Sequence, residues 1–288
     1  MIMNAHCAKC LMDKWLEATP AEAAPPLRAA YEGQVRALIE GNRTLSSPEM
    51  DSALIDIYTA HFGPGVDYGP IKRRFNALML ALLPEMRADI ESAADPLERA
   101  VQYAMTGNFI DFAAMSDVDE DKLRGLLKAA GDVPVDARAL AALRREALRA
   151  RRLLFMTDNC GEIVTDRALI EVLGRLNPDM EITVMVRGAP VVNDATLEDA
   201  EQVGMAETAH RIVGSGCGIA GNPLNRISDE ARRAIDAADV MISKGQANYE
   251  ALNGCGLNMF FIFMCKCQLF MDRFHVPRFA GMLTQEDF

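Results

Sequence analysis

Asp158-Asn159-Cys160-Gly161-Glu162 is the stretch of this chain best suited to chemistry. It follows the short apolar run Leu153 to Thr157 and leads into a helix-like segment from Ile163. That is the pattern of a buried parallel strand running into a βα turn. Ligands of open α/β sheets bind at the carboxyl ends of strands, where Asp158 and Asn159 would offer hard oxygen atoms to a cation. Gly161 lets the backbone turn tightly, and Glu162 stands in the first turn of the helix. The competing explanation is that Asp158 or Asn159 merely caps that helix.

Three further stretches share this character. Val186-Arg187-Gly188 ends a second apolar run and is followed by Asn193-Asp194 just before a helix, where capping again competes. Lys244-Gly245-Gln246-Ala247-Asn248 ends the run Val240 to Ser243. A lysine followed by glycine at a strand end suits phosphate or carboxylate recognition. Gly107-Asn108-Phe109-Ile110-Asp111-Phe112 embeds two polar residues among aromatic and aliphatic ones, and a helix stop with an Asx turn would account for it equally well. Together these segments put Asp158, Asn159 and Asp194 on adjacent turns, with Lys244 on another turn of the same sheet edge. Two carboxylates and an amide oxygen, with positions open to water, make an octahedral Mg²⁺ or Mn²⁺ site. A nearby lysine makes it a site for phosphate oxygens on a metal.

Other motifs carry less. Gly214-Ser215-Gly216-Cys217-Gly218 lacks both the Walker ending and the full dinucleotide fingerprint. Cys7-Ala8-Lys9-Cys10 is a single CxxC pair, whose partner pair could come only from Cys265-Lys266-Cys267 or isolated cysteines. No strand precedes it, as a redox pair would require.

The elements that must position these residues fall into two halves. Residues 1–150 read as a helical N-terminal domain. Ser47-Pro48-Glu49-Met50 marks a helix start with Ser47 as N-cap. Tyr68 to Ile90 carries an apolar stripe interrupted by Pro84, which should kink or end the helix. The arginines near 144–152 read as a solvated face. Residues 151–288 alternate short apolar runs with helical segments, which implies an α/β domain built on a mostly parallel, doubly wound sheet. Strands are expected at Leu153 to Thr157, Ile182 to Val186, Arg211 to Val213, Val240 to Ser243 and Leu257 to Met264.

Bulk properties exclude some classes. The chain has 288 residues, half of them hydrophobic, and a net charge of -11. That balance argues against nonspecific nucleic-acid binding, which needs a basic surface. It leaves room for an anionic small substrate at a metal. The N-terminus has charges and cysteines where a secretory signal needs apolar residues, and the longest apolar run, Leu257 to Cys265, is too short to span a membrane. The expectation is a cytoplasmic protein with no membrane partner. Its seven cysteines, an odd number in a long chain, suit reduced thiols or metal ligands better than a disulfide framework.

In their order and spacing, Asp158-Asn159-x-Gly161-Glu162, Gly107-Asn108-x-x-Asp111-Phe112, Asn193-Asp194 and Lys244-Gly245-Gln246-x-Asn248 resemble the signatures of the damage-control phosphatases, also called domain of unknown function 89. Cys7, Cys10 and Lys266-Cys267 resemble the prokaryotic branch of that family. The resemblance implies a helical N-terminal bundle against a Rossmann-like three-layer α/β/α sandwich. It implies that Asp158, Asn159 and Asp194 ligate one divalent ion (Mn, Mg, Co or Ni) and that Lys244 contacts the substrate phosphate. Asn108 and Glu162 match pocket positions, and Arg187 adds a cation for substrate binding. Ala247 departs from a common glycine by one methyl group. The implied activity is hydrolysis of small phosphorylated metabolites, with Asp158, Asp194 and Lys244 as the catalytic groups and either a metal-activated water or Asp158 as nucleophile. An S-adenosylmethionine-dependent carboxyl methyltransferase, supported by the Gly214 to Gly218 turn, and a noncatalytic metal- or metabolite-binding protein are the alternatives.

Overall fold

The computed structural model describes residues 2–42, 44–108 and 120–285. Seven helices come first: α1 (Ala5–Glu17), α2 (Pro25–Gly41), α3 (Ser47–Phe62), α4 (Gly69–Ser92), α5 (Pro96–Gly107), α6 (Glu120–Lys128) and α7 (Ala137–Arg149). Strands then alternate with helices: β1 (Arg152–Met156), α8 (Glu162–Leu176), β2 (Glu181–Val186), α9 (Leu197–Gln202), β3 (Arg211–Gly214), α10 (Asp229–Ala237), β4 (Val240–Lys244), α11 (Gln246–Leu252), β5 (Met259–Met264), α12 (Gln268–Phe274) and β6 (Gly281–Gln285).

The strands form one sheet in the order β3-β2-β1-β4-β5-β6. The first five are parallel and β6 runs antiparallel to β5. This is the expected α/β architecture, with one strand, β6, beyond those anticipated. Successive side chains point to opposite faces of a strand, and both faces here are covered. Leu153 and Phe155 enter a core shared with α4, α5, α7 and α8. Leu154 and Met156 enter a second core formed with α10, α11 and α12. A third, smaller cluster holds α1, α2 and α3 together around Trp15, Tyr31 and Leu54. The first core runs from Phe75 of α4 to Leu283 of β6, so it crosses the point near residue 150 where strands begin. No helix among the described residues is long and apolar enough to cross a membrane.

One local expectation is corrected, and of the alternatives at Pro84 the helix end is ruled out. The N-cap of α3 is Ser46 rather than Ser47, because the Glu49 carboxylate reaches back to the Ser46 N–H at 3.0 Å. Helix α4 continues through Pro84 to Ser92. Pro84 lies on the exposed face, between buried Leu83 and Met86, where a carbonyl freed by the missing N–H can turn to water.

The strand order places the candidate residues. It reverses between β1 and β4, the switch point where such sheets leave a crevice. Met156 pairs with Ser243 across that point, so Asp158 and Lys244 leave the sheet side by side. Helices α5 and α8 meet closely above it: a Cβ added at Gly107 would fall on the Thr165 side chain. Gly107→Ala is therefore expected to lower stability by about 1–3 kcal/mol through overpacking, read as a drop in Tm. Gly125→Ala in α6, where a Cβ meets nothing, should keep or raise Tm. Equal melting temperatures for the wild type and Gly107→Ala would refute the close contact.

Candidate active site

Asp158 leaves the end of β1 in a turn whose shape is set by two glycines. Gly161 has φ +69° and opens α8 without a side-chain cap, so neither Asp158 nor Asn159 serves as its cap. Gly245, just past β4, has φ +84°, and a Cβ there would fall on the Asp158 carboxylate. Glycine is thus required twice, once for conformation and once for the approach of a charged group. The turn is stitched to the segment carrying Asp194: Cys160 N–H donates to Asn193 O at 2.8 Å and Ala195 N–H to Asp158 O at 2.7 Å. Thr196, not Asp194, caps α9, in a capping box with Asp199. Val192 in the same segment has φ +44°, a left-handed backbone that a β-branched residue adopts only under constraint.

The side chains then form one continuous buried network. Arg187 donates from Nε to Asp194 at 2.5 Å, from Nη2 to Asp158 at 3.3 Å and from Nη1 to Asn248 at 3.2 Å. Asn159 Nδ2 donates to Asp158 at 2.8 Å and to Glu162 at 2.9 Å. Asn108 Nδ2 donates to the same two carboxylates at 3.1 and 2.9 Å, while its Oδ1 accepts from Met264 N–H. Asn108 therefore belongs to the site rather than to a local Asx turn; Asp111 lies outside the described residues. Lys244 is wholly buried, and Nζ donates to Glu162 at 2.6 Å, Asp166 at 2.5 Å and Ala104 O at 3.0 Å. Its three N–H donors are engaged within the protein, where Lys244 braces the Glu162 and Asp166 carboxylates.

Asp158, Asn159, Glu162, Arg187, Asp194, Lys244 and Asn108 are thus brought together. Two residues with no assigned role join them. Asn248 anchors Arg187 and donates to Lys244 O at 2.6 Å. Asp166 shares Lys244 with Glu162; these two acids stand at i and i+4 of one helix, a repulsive pair unless a cation lies between them.

Among the described residues, the carboxylates of Asp158, Glu162, Asp166 and Asp194 form ion pairs with Arg187 and Lys244, and Lys72 and Lys266 add positive charge near Asp194 and Asp158. Burial drives Asp158 well above the usual carboxylate range, and the charges of Asp194 and Glu162 push it further, against the pull of Arg187. Burial raises Asp194 as well, again opposed by Arg187. Glu162 is opposite in sign. Its burial is outweighed by Lys244 and by hydrogen bonds from Asn108 and Asn159, which hold it below its ordinary value. Lys244 is held above the ordinary lysine value, because Asp166 and Glu162 outweigh the burial that opposes its charge. Asp166, with Oδ2 unpartnered, is pushed up to about 7 by burial, with Glu162 adding to the rise and Lys244 opposing it. Burial also raises the Cys160 thiol, which removes it as a nucleophile.

This donor set suits a hard divalent cation. Asp158 and Asp194 supply carboxylate oxygens at a position with excess negative charge, and the Asn159 oxygen is not used in the hydrogen bonds its amide nitrogen makes. No three His, Cys, Asp or Glu side chains converge on one metal position among the described residues, so a set of three ligands here would have to include an oxygen of another kind, such as the Asn159 amide. Beside the site lies a cleft of about 670 Å³, bounded by Trp15, Tyr58, Lys72, Arg73, Val191 and Thr196. Val191, Val192 and Thr196, which flank Asn193-Asp194 in sequence, line it, whereas Asp158, Asn159 and Asp194 do not. The Gly214 to Gly218 turn is accounted for by packing: a Cβ on Gly188 would meet the Gly216 backbone. Cys7 and Cys10 form no disulfide with each other.

A site of this kind at the switch point of a doubly wound sheet, roofed by helices, defines a class that comparison with known proteins makes specific. The family pattern described as "Damage-control phosphatase ARMT1-like domain" matches residues 5–280, and the chain belongs to that family. It is 31% identical over 203 residues to a damage-control phosphatase of Archaeoglobus fulgidus, covering 70% of this chain and 69% of that one. It is 34% identical over 194 residues to a damage-control phosphatase of Pyrococcus horikoshii, covering 66% of each. A crystal structure of a DUF89 family protein from Pyrococcus horikoshii shares the fold, with a TM-score of 0.82, 24% identity and 100% of both chains covered.

The Lys244 cluster makes a pH-dependent contribution. Asp166 holds its proton to about pH 7 in the folded chain, whereas an unfolded aspartate loses it near 3.9. Folding then binds protons between those values, so this group's contribution falls as pH rises through that window and is level above it. Asp166→Asn should remove that decline: its Tm relative to wild type should be higher at pH 8 than at pH 4.5. A constant difference across the window would refute the assignment.

Proposed function

We propose that the protein is a metal-dependent phosphatase of the damage-control type that hydrolyses small phosphorylated metabolites. The observation that carries this reading is the pairing of Asp158 with Asp194 through Arg187, beside Asn159, at the β1/β4 crevice. Asp158, Asn159 and Asp194 would hold a Mn, Mg, Co or Ni ion. When bound, that ion polarises a phosphoryl oxygen and lowers the pKa of an attacking water.

The chain's own residues do the rest. Arg187 fixes the rotamers of Asp158 and Asp194 and supplies positive charge beside them. Glu162 fixes the Asn159 amide, and Lys244 fixes Glu162. With its donors already engaged, Lys244 acts on the phosphoryl group through its charge and through the carboxylates it orients. Preorganised charge of this kind is most of what phosphoryl transfer asks of a protein. A carboxylate committed to the metal would be a poorer nucleophile than a water activated by it, so that water is the first choice, with direct attack by Asp158 the alternative. The cleft lined by Val191, Val192 and Thr196, close in sequence to Asp194, has room for a small metabolite. A methyltransferase has no need of paired buried carboxylates, and the glycine-rich turn that favoured one is explained by loop packing.

The test is phosphate release from a panel of sugar and nucleotide phosphates with several divalent ions. Chelation should abolish release and the added ion should restore it. Asp194→Asn should weaken Mn²⁺ binding and turnover together. Lys244→Ala, judged on the folded fraction, should retain the metal and lose roughly a hundredfold or more in kcat/KM. Full activity in metal-free protein, or undiminished activity in Asp194→Asn, would overturn the reading.

A further inference from the structure

We propose that Asn76, a helix residue that touches none of the candidate ligand side chains, is the positioning residue that locks together the two turns carrying Asp158, Asn159 and Asp194. The inference rests on reading those turns as metal-binding. Asn76 lies in the middle of α4 and is wholly buried. Along α4, Phe75 and Met79 beside it are apolar core residues, while Lys72, one turn back, is a buried cation paired with Asp199. A buried amide persists where its polar atoms have partners, and those of Asn76 are specific.

Its Oδ1 accepts the Gly161 N–H at 2.7 Å. Gly161 stands between Asn159 and Glu162, in the left-handed backbone that aims both side chains, and α8 has no side-chain cap of its own. Asn76 is therefore the group that satisfies this buried donor from outside the turn. Its Nδ2 donates to Asp199 Oδ1 at 2.8 Å and to Gln202 Oε1 at 2.9 Å. The other oxygen of Asp199 accepts from Thr196 N–H and Thr196 Oγ1, both at 2.8 Å, and pairs with Lys72 at 2.6 Å. Thr196 is two residues past Asp194 and bridges to Arg187, the cation that holds both site carboxylates. Gly161, Asn76, Asp199 and Thr196 thus form one polar chain from the first turn to the second. Lys72 and Asn76, one helical turn apart on α4, deliver it from the helical half.

The chain has a direction: Asn76 accepts on one side and donates on the other. Asn76→Asp keeps the acceptor for Gly161 but sets two carboxylates against each other. The double variant Asn76→Asp/Asp199→Asn exchanges the roles, with the amide at 199 donating to the carboxylate at 76 and its oxygen still accepting from Thr196. Asn76→Leu keeps the volume and removes both functions. The decisive measurements are amide hydrogen exchange on metal-free protein, compared between residues 158–162 and β1, and Mn²⁺ titration calorimetry on the same samples.

Asn76→Leu and Asn76→Asp should each speed exchange at 158–162 by about tenfold or more, the scale of one lost buried hydrogen bond. Protection in β1 should stay unchanged, and Mn²⁺ affinity should fall by a similar factor. The double variant should recover both towards wild type. Unchanged exchange at 158–162, loosening spread equally through β1, or a double variant no better than Asn76→Asp would overturn the proposal. Should Asn76→Leu fail to fold, the Asn76→Asp cycle decides alone. Absence of Mn²⁺ binding by the wild type would instead overturn the metal reading, while exchange would still decide the role of Asn76.

Discussion

One ammonium group set against two carboxylates is the constraint on which the rest of this site depends. Lys244, Glu162 and Asp166 are all fully buried, where ionised groups are tolerated only with close partners and satisfied hydrogen bonds. Lys244 leaves the sheet at the end of β4 and the two acids come from one face of α8, so the ion pairs clamp a helix onto the switch point of the sheet. Everything nearer the crevice follows from that clamp. Glu162, once fixed, orients Asn159 and Asn108; these in turn hold Asp158, and Arg187 ties Asp158 to Asp194. Partial satisfaction of such a network is costly, which makes its geometry cooperative.

The fold contributes by letting backbone come close. Gly245 leaves space for a carboxylate, Gly107 lets α5 lie against α8, and Gly188 lets two loops touch. Helix α4 then braces the result from outside the sheet. The helical residues are therefore part of how the strand-end turns are held, and the apolar core running from Phe75 to Leu283 is the physical expression of that union.

Much of this was legible in the residues. The switch from helical spacing to short apolar runs located β1 to β5 within a residue or two, because strands covered on both faces read as continuous apolar runs. Strand ends then named Asp158, Asn159, Arg187, Asp194 and Lys244. What escaped notice has a physical cause in each instance. β6, Gly-Met-Leu-Thr-Gln, is a short edge strand with no apolar run. Asp166 looks like any helix acid until it is seen four residues from Glu162, both facing a lysine 78 positions away along the chain from Asp166. Asn76 was hidden in an apolar stripe, where a lone amide was the signal. The helix does not end at Pro84, because a proline on the wet side of a helix frees a carbonyl that water can satisfy. The partners of Lys244, namely Glu162, Asp166 and Ala104 O, were not legible in the sequence, because side-chain partners are decided by tertiary structure.

The antiparallel strand β6 has a different consequence, for how the molecule behaves among its copies. A parallel sheet of long apolar strands ends in open backbone donors and acceptors that recruit further strands from neighbouring molecules. Here the hydrophobic β5, Met259–Met264, is walled off by the chain's own return through Gly281–Gln285. The opposite border is β3, only four residues long and beginning with an exposed arginine. Neither border offers a long template for strand addition, so a sheet rich in phenylalanine and methionine can stay folded in a crowded solution without seeding cross-strand aggregates.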